Sequence, residues 1–286
     1  MKKIKYLFEF LFIYILLIFF KILGYQNASN FGCKIGKTIG PFFRSKKIII
    51  NNLNRAAFKK DKNYQEQIIK SMWCNYGRIL AEYPFLKKFK KNIFKDYIEI
   101  EGKEHLDEIK KNNKRVVFVS GHFNNFELMA MQIENAGIEL AAIYRPLNNF
   151  FLNNIMEEIR INDICKNQIK KGKSGTRELL EFFKKGTSIA LMIDQRVSEG
   201  IRIDFFGENA STTTIPAQLV KKYNCEVVPI YIERKNNFYF KMFVSKPLSF
   251  NKDDSVENIS IFLNKLLEKM ILKNPDQWIW THDRWK

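Results

Sequence analysis

A long apolar run begins close to the N-terminus and predicts a membrane-anchoring helix. Residues 6–23 are almost continuously apolar, interrupted by Glu9 and Lys21, and three lysines precede them. Roughly 20 apolar residues suffice for a helix to cross the hydrocarbon core of a bilayer. A cleavable signal peptide also has a basic start and an apolar core. Because no A-x-A-like cleavage site follows the run, we expect residues 1–24 to form an uncleaved anchor.

Residues 35–86 show the spacing of amphipathic helices rather than that of strands. Apolar side chains between Ile68 and Leu80 recur at intervals of three and four residues, which is the period of one helix face. Aromatic side chains are mixed here with Lys and Arg, as in helices that lie on a membrane surface. The same pattern also fits an ordinary pair of core-packing helices, so both interpretations stay open.

Predicted strands and helices alternate through the remainder of the chain. The strands are predicted at residues 97–100, 116–120, 140–144, 188–193, 227–232 and 238–244. The helices are predicted at residues 104–111, 127–133, 150–161, 177–183, 215–223 and 255–272. This alternation predicts an α/β fold in which helices flank a mixed, mainly parallel sheet. A short turn joins the last two strands and predicts an antiparallel hairpin at the sheet edge.

No obvious linker or internal repeat divides the chain after the anchor. Its 286 residues are 46% hydrophobic and 14% aromatic, which suffices for a sizeable core. We therefore expect one domain over residues 25–286. It should have a helical membrane-proximal part near residues 25–95 and an α/β core near residues 96–286.

The chain is strongly basic. It carries 48 Lys and Arg residues against 30 Asp and Glu residues, a net charge of +18, which favours an anionic partner. A lipid surface and a nucleic acid both fit this charge. The basic residues are spread along the chain and no RRM, KH or zinc-finger signature is present, so we expect no nucleic-acid partner.

Four cysteines are scattered along the chain, at positions 33, 74, 165 and 225. Neither a CxxC pair nor a nearby histidine accompanies them, so the sequence predicts neither a zinc site nor a disulfide framework. Such cysteine usage is typical of a reducing compartment. We expect no bound metal.

A histidine and a carboxylate lie five positions apart directly behind the predicted strand 116–120. His122 follows this strand, and Glu127 opens the predicted helix after it. A neutral imidazole with a pKa near 6.5 accepts a proton at neutral pH, so His122 suits the role of a general base. Glu127 would then fix the imidazole tautomer and stabilise its transient positive charge. Asn124 and Glu127 also fit a helix-capping box, in which the carboxylate only satisfies backbone N–H groups.

The stretch Gly121-His122-Phe123-Asn124-Asn125-Phe126-Glu127 resembles the H-x4-(D/E) box of the glycerolipid-type acyltransferases, in the branch of the lipid A late acyltransferases. Further stretches agree with this family in order and spacing, namely Tyr144-Arg145-Pro146, Gly175-x-Arg177 with Gly186, Asp194-Gln195, Phe205-Phe206-Gly207, Thr212-Thr213-Thr214 and the segment 275–286 with the pattern P-x-Q-W-x-W-x-H-x-R-W-K. The resemblance covers nearly the whole chain. Two positions depart from it, because Asn124 stands where glycine is usual and Asp283 where a basic residue is expected.

The resemblance implies an O-acyltransferase that moves a fatty acyl chain from the thioester of acyl carrier protein to a hydroxyl of a lipid A precursor of the Kdo2-lipid IVA type. His122 and Glu127 are then the catalytic residues. No covalent acyl-enzyme is required, and no G-x-S-x-G serine is present to form one. Acyl carrier protein enters as a co-substrate, so the reaction implies no cofactor.

The resemblance also implies substrate-binding residues. Arg145 would clamp a phosphate of the acceptor, because a guanidinium presents a planar fork of donors. Arg177, Asp194, Gln195 and Arg284 are further substrate-binding candidates. Asp194 would bind a headgroup or orient Arg145, or merely cap a turn. Arg284 would reach the site or else lock the end of the chain onto the fold, and the other arginines also fit ordinary surface positions.

The expected location is the bacterial inner membrane, with a single-pass or monotopic anchor and the catalytic domain on the cytoplasmic side. Two other functions stay open. An acyltransferase for a lysophospholipid or another polar lipid would use the same chemistry. A non-catalytic basic protein that binds membranes would explain the charge alone.

Overall fold

Five α-helices precede the sheet in a computed structural model of the chain, which describes residues 2–56, 58 and 61–286. They are α1 (Lys2–Leu23), α2 (Tyr25–Ile39), α3 (Lys46–Arg55), α4 (Lys62–Glu82) and α5 (Leu86–Lys90). Helix α1 has 22 residues, and an 18-residue stretch of it has a mean hydropathy of 2.3, so it is long and apolar enough to cross a membrane. Asp61 is the N-cap residue of α4, and its side chain accepts a hydrogen bond from the backbone N–H of Tyr64.

Helices α2 and α4 cross with their backbones in contact. A Cβ atom on Gly77 of α4 would lie 1.9 Å from the carbonyl oxygen of Gly32 in α2. One on Gly36 of α2 would lie 2.0 Å from the carbonyl oxygen of Trp73. Glycine is required at these positions because any side chain would overlap the opposite backbone.

A disulfide between Cys33 and Cys74 joins α2 to α4. The sequence predicts no disulfide, and for these two residues the prediction is wrong. They are 41 positions apart, and they meet because the two helices cross, so their spacing carries no sign of the pair. Cys165 and Cys225 are buried free thiols.

Nine strands and six further helices follow in the described part of the chain. The strands are β1 (Ile98–Glu101), β2 (Val117–Ser120), β3 (Leu140–Tyr144), β4 (Asn167–Lys170), β5 (Ser188–Met192), β6 (Ile201–Phe205), β7 (Glu208–Thr212), β8 (Val227–Lys235) and β9 (Tyr239–Val244). The helices are α6 (Lys103–Lys111), α7 (Glu127–Asn135), α8 (Phe150–Ile159), α9 (Lys173–Lys184), α10 (Ile215–Tyr223) and α11 (Val256–Lys273). A π-helical turn, Arg160–Ile164, continues α8.

Seven of the strands form one sheet in the order β1-β9-β8-β2-β5-β3-β4. Strands β8, β2, β5, β3 and β4 are parallel, whereas β9 is antiparallel to β8 and β1 is parallel to β9. The predicted fold class, a mixed and mainly parallel α/β sheet flanked by helices, is confirmed. The β8–β9 hairpin is antiparallel as predicted, but β1 pairs with β9 and takes the edge position in its place.

The sequence does not predict β4, β6 or β7. Strand β4 reads Asn-Gln-Ile-Lys, with Ile169 as its one buried residue. Strands β6 and β7 form a separate antiparallel hairpin outside the main sheet. Strands β4 and β7 carry little apolar alternation. Strand β6 does alternate, with Ile201, Ile203 and Phe205 apolar, and it pairs with β7 directly after it, so this hairpin had a local signal that the prediction missed.

Strand β2 occupies the centre of the sheet, between β5 and β8. All its residues are buried, and Val117 pairs with Ile189 on one side and Val227 on the other. A strand buried on both faces has a continuous apolar sequence, which explains the apolar run at 116–119. The carboxyl end of β2 therefore opens between parallel neighbours, where α/β sheets carry their sites.

A buried ion pair joins the helical part to the α/β part. Arg234 of β8 donates through Nη1 to Oε1 of Glu82, the fully buried last residue of α4, at 2.6 Å. Glu82 also accepts hydrogen bonds from Ser29 Oγ (2.8 Å) and Asn125 Nδ2 (3.0 Å). Since a buried carboxylate needs such partners, this group holds α2 and α4 beside the loop that follows β2.

Replacing Gly77 by alanine is expected to lower the free energy of unfolding by about 1–3 kcal/mol, because the new methyl group overlaps the backbone of α2. Denaturant unfolding of the detergent-solubilised protein measures the change. Thr38→Ala, at an exposed position of α2, is the control and should change the value by less than about 0.5 kcal/mol. Equal stability of Gly77→Ala and the unaltered protein would contradict the close crossing.

Candidate active site

The loop of residues 121–126 connects β2 to α7 and is held in place by Asn124. This residue has a left-handed backbone, with φ of 45°. Its side-chain amide donates to the carbonyl oxygen of Ile232 (3.1 Å) and to Gln277 Oε1 (2.5 Å). Asparagine adopts a left-handed backbone more readily than most residues that have a side chain. It can therefore stand at the position where the family that this sequence resembles usually has glycine.

Asp194 holds His122 in a fixed orientation. The Oδ1 atom of Asp194 lies 2.8 Å from His122 Nδ1, and its Oδ2 atom accepts the backbone N–H of His122 at 2.7 Å. The sheet register causes this contact, because Ser120 pairs with Met192 and each functional residue lies two positions further on. Asp194 is fully buried, and its carboxylate oxygens bind His122 and Trp278, so its contacts differ from those predicted from the sequence, which were with a headgroup or with Arg145.

The carboxylate of Asp194 makes the His122 imidazole a stronger base and fixes which ring nitrogen carries its proton. Burial acts to lower the pKa of His122, but the charge of Asp194 and the hydrogen bond to it outweigh burial and raise the pKa above its ordinary value. Burial acts to raise the pKa of Asp194, and the contacts with His122 hold it below its ordinary value. Asp194 therefore stays ionised and accepts a hydrogen bond from the N–H at Nδ1 of His122. In the neutral imidazole this leaves the free lone pair on Nε2.

Residues near the end of the chain complete the surroundings of Asp194. The indole Nε1 of Trp278 donates to Asp194 Oδ2 at 2.9 Å, and Trp278 forms a β-bridge with Phe123. Trp278, Trp280 and Trp285 are all buried, so they pack in the core rather than at a membrane interface. The C-terminal segment thus closes the site from behind.

Glu127 does not contact the imidazole through a hydrogen bond. Its Oε1 atom accepts hydrogen bonds from Tyr83 Oη (2.7 Å) and from Arg160 Nη2 (2.9 Å) and Nε (3.1 Å). The orienting role predicted for Glu127 is taken by Asp194, since the geometry directs the Glu127 carboxylate to Tyr83 and Arg160. The capping box with Asn124 is also absent, because Phe126 is the N-cap of α7 and makes no side-chain cap bond.

A cavity of about 1000 Å³ opens beside His122. Much of its lining is apolar, including Phe118, Met129, Ile133, Ala142, Ile164 and Ala190. Exposed charged side chains also line it, and four of them are basic (Arg145, Lys170, Lys171 and Arg196) against one acidic (Glu199). The cavity therefore joins an apolar interior to a basic mouth, a combination that suits an acyl chain attached to an anionic group.

The structure brings some of the predicted substrate-binding residues together and separates others. Arg145 and Gln195 line the cavity with His122 and Glu127. Arg177 is exposed on α9 and is not among the residues that line the cavity. Its predicted role in substrate binding has no support from this placement.

Arg284 is fully buried and locks the C-terminal segment onto the fold. Its guanidinium donates to the carbonyl oxygen of Ser211 and to Thr212 Oγ1, and it lies over the ring of Phe205. Burial lowers its pKa to about 10. Of the two roles that the sequence left open for Arg284, these contacts favour the lock, since Arg284 is buried and is not among the residues that line the cavity.

Two site residues, Arg160 and Arg196, lie outside the sequence motifs. Arg160 contacts Glu127 and also lies over the ring of Tyr144, with 5.5 Å from its guanidinium carbon to the ring centroid. Arg196 donates its backbone N–H to His282 Nε2 at 2.9 Å, and both residues line the cavity. Arg196 directly follows the Asp194-Gln195 motif. This neighbouring position is the only sequence signal that could have identified Arg196 as a site residue.

Within residues 2–56, 58 and 61–286, no three His, Cys, Asp or Glu side chains lie close enough together to hold a metal ion. His122 also makes no hydrogen bond to a serine, threonine or cysteine among these residues. The described site therefore offers a base and two carboxylates, but no activated protein nucleophile of the Ser-His type.

Known proteins share similarity with the chain over most of its length. A family model described as bacterial lipid A biosynthesis acyltransferase matches residues 1–286. The lipid A biosynthesis palmitoleoyltransferase of Escherichia coli (strain K12) is 23% identical over 269 residues, covering 92% of this chain and 86% of that protein. The lauroyltransferase of the same organism is also 23% identical, covering 92% and 87%. The solved 1-acyl-sn-glycerophosphate acyltransferase of Thermotoga maritima aligns over 96% of this chain and 99% of its own, with a TM-score of 0.44 and 14% identity.

Asp194→Asn is expected to lower the pKa of His122, because the substitution removes the negative charge that outweighs burial. Histidine ring signals followed by NMR across a pH titration measure this pKa. Asp253→Asn, at an exposed position, is the control and should leave it unchanged. An unchanged His122 pKa in Asp194→Asn would contradict the contact between the two residues.

Proposed function

The chain belongs to the bacterial lipid A biosynthesis acyltransferase family, and from this premise we propose that it transfers a fatty acyl chain from acyl carrier protein to a hydroxyl of a Kdo2-lipid IVA-type precursor. It is an O-acyltransferase of lipid A biosynthesis. The observation that carries the finer proposal is a histidine whose Nδ1 is occupied by a buried carboxylate beside a cavity with an apolar lining and basic residues.

His122 acts as the general base in this proposal. Its Nε2 takes the proton of the acceptor hydroxyl as the oxygen attacks the thioester carbonyl carbon. The tetrahedral intermediate collapses, the carbon–sulfur bond breaks, and the imidazolium returns its proton to the leaving thiolate. An ester and a free thiol result, without an acyl-enzyme. Such proton transfer contributes about 10²–10⁴-fold to the rate.

Two carboxylates stabilise the imidazolium in different ways. Asp194 orients the ring through Nδ1, as the aspartate of a Ser-His-Asp triad does. Glu127 acts through its charge, which also raises the pKa of His122 without a direct hydrogen bond. Glu127 thus retains its predicted catalytic role, with Tyr83 and Arg160 holding its position.

The two substrates occupy different parts of the cavity. The acyl chain lies along the apolar lining, where burial of each CH₂ group contributes about 0.8 kcal/mol. A phosphate of the acceptor lies at the basic mouth, where Arg145 binds it through paired N–H donors. The net charge of +18 favours both the anionic lipid and an acidic carrier protein.

The proposed location is the cytoplasmic face of the bacterial inner membrane. Helix α1 is apolar enough for membrane insertion, and lipid A precursors are membrane lipids. The acyl carrier protein donor is a soluble cytoplasmic protein, so the catalytic domain must face that compartment.

His122→Ala is expected to reduce acyl transfer by about 10²–10⁴-fold, because the acceptor hydroxyl loses its base. Purified protein, acyl-acyl carrier protein and Kdo2-lipid IVA are incubated together, and the acylated product is quantified by mass spectrometry. His105→Ala is the matched control, since His105 lies on α6 and does not line the cavity. Full activity of His122→Ala would overturn the mechanism, and activity towards a lysophospholipid alone would overturn the acceptor.

Arg145→Ala is expected to raise the KM for the phosphorylated acceptor about 10-fold while kcat changes little, because Arg145 contacts a group remote from the reacting atoms. Steady-state kinetics with Kdo2-lipid IVA measures both constants. Arg202→Ala, at an exposed position on β6 that does not line the cavity, is the control. An unchanged KM in Arg145→Ala would remove Arg145 from the binding site.

A further inference from the structure

One side of α1 is less exposed than the other along the length of the helix. An inner stripe of residues that are buried or half-buried repeats at intervals of three and four positions: Tyr6, Phe10, Ile13, Leu17, Phe20 and Leu23. An outer stripe of exposed residues repeats with the same spacing: Ile4, Phe8, Phe12, Ile15, Phe19 and Ile22. At 3.6 residues per turn the two stripes lie on opposite sides of the helix.

The N-terminal half of α1 contacts the start of α8. Asn149, the N-cap residue of α8, donates to the carbonyl oxygen of Tyr6 (2.8 Å) and to Glu9 Oε2 (3.2 Å). The ring of Phe10 lies 5.7 Å from the ring of Phe151. Glu9, one of the two charged residues that interrupt the apolar run, thus helps to bind α1 to the α/β part.

The other end of α1 contacts the same folded body. Phe20 is fully buried. Tyr25, two residues after the end of α1, packs against Phe85 and Phe89 and donates through its hydroxyl to the carbonyl oxygen of Phe238 at 2.8 Å. Contacts at both ends therefore tie α1, about 33 Å long, lengthwise to the catalytic domain.

A helix fixed in this way does not suit a spanning position. A spanning helix extends away from a domain that lies on one side of the bilayer, so its distant end leaves that domain. If α1 crossed the bilayer here, it would carry α8 with it, including Glu157 and Glu158, into or across the hydrocarbon layer. Placing carboxylates at that depth costs about 2.5–3.5 kcal/mol each or more.

We propose that α1 lies in the plane of an anionic membrane, with its outer stripe inserted among the acyl chains and its inner stripe on the catalytic domain. The inference rests on the membrane location proposed above and replaces a spanning anchor by a monotopic one. Lysines flank the apolar run at positions 2, 3, 5 and 21, where they meet anionic headgroups.

The exposed apolar surface formed by the outer stripe continues beyond α1 into the following residues. Phe19 of the outer stripe contacts Phe31 of α2, which is also exposed. Further along, Phe42 and Phe43 are 88% and 80% exposed and directly precede Arg44. Aromatic residues next to basic ones are typical of segments at the membrane interface, so this region extends the contact of α1.

This orientation places the cavity mouth at the membrane surface. Leu147 and Asn148 line the cavity, and the next residue, Asn149, binds α1. A lipid acceptor therefore reaches His122 from the bilayer beside α8, with its headgroup at the level of Arg145. The acceptor does not need to leave the membrane to be acylated.

Thiol labelling in spheroplasts of a Gram-negative host tests the orientation. Lys3→Cys marks the start of α1 and Lys103→Cys, on exposed α6, marks the catalytic domain. A membrane-impermeant maleimide is expected to label neither variant before lysis and both after it, while the unaltered protein gives the background. Labelling of Lys3→Cys alone in intact spheroplasts would show that α1 spans and overturn the inference. Labelling of both would support it and contradict the cytoplasmic location instead.

Depth measurements provide a second test that does not depend on the cell. Tryptophan replaces Phe8, Ile15 or Ile22, one at a time, in protein bound to phosphatidylglycerol-containing vesicles, and quenching by lipids brominated at defined depths is compared. An in-plane helix gives equal depths for the three positions. A spanning helix separates Phe8 from Ile22 by about 21 Å along the bilayer normal, which would overturn the inference. Acyl transfer, measured on the same samples, tests the proposed function separately.

Discussion

A buried carboxylate holds three separate parts of the chain together at the active site. Asp194 accepts hydrogen bonds from the ring and the backbone of His122 and from the indole of Trp278. Removing one partner of a buried charge pair costs about 3–5 kcal/mol, so these contacts are mutually dependent. The loop after β2, the end of β5 and the C-terminal segment must all be in place for the base to be oriented.

Elements whose apolar positions repeat with a single period are predictable from the sequence. Strand β3 and helix α10 have the predicted bounds, and the β8–β9 hairpin follows from its short turn. Strands β4 and β7 are missed because they have little apolar alternation. Strand β6 alternates apolar and polar residues and pairs with the strand directly after it, so its local signal was present and was overlooked. The bond between Cys33 and Cys74 results from a helix crossing that no spacing rule encodes.

The site is predictable as far as it lies within one continuous motif. His122 is found because it follows a strongly apolar strand, whereas its orienting partner is 72 positions away and meets it through the pairing of β2 with β5. Arg160 belongs to no motif, and it reaches Glu127 because the π-helical turn after α8 packs beside α7. The sequence alone does not distinguish the two roles of Arg284, because an arginine near the end of a chain suits substrate binding as well as packing. Its complete burial favours packing.

The dependence of Asp194 on Trp278 also governs when a newly made chain becomes active. Trp278 is synthesised 84 residues after Asp194, and Trp285, which donates to the carbonyl oxygen of Phe205, comes later still. Strands β2 and β5 leave the ribosome and can pair well before this segment exists. A nascent chain already inserted at the membrane thus carries the base without its final orientation, so catalysis begins as a late event of biosynthesis, after the segment through residue 285 has folded back.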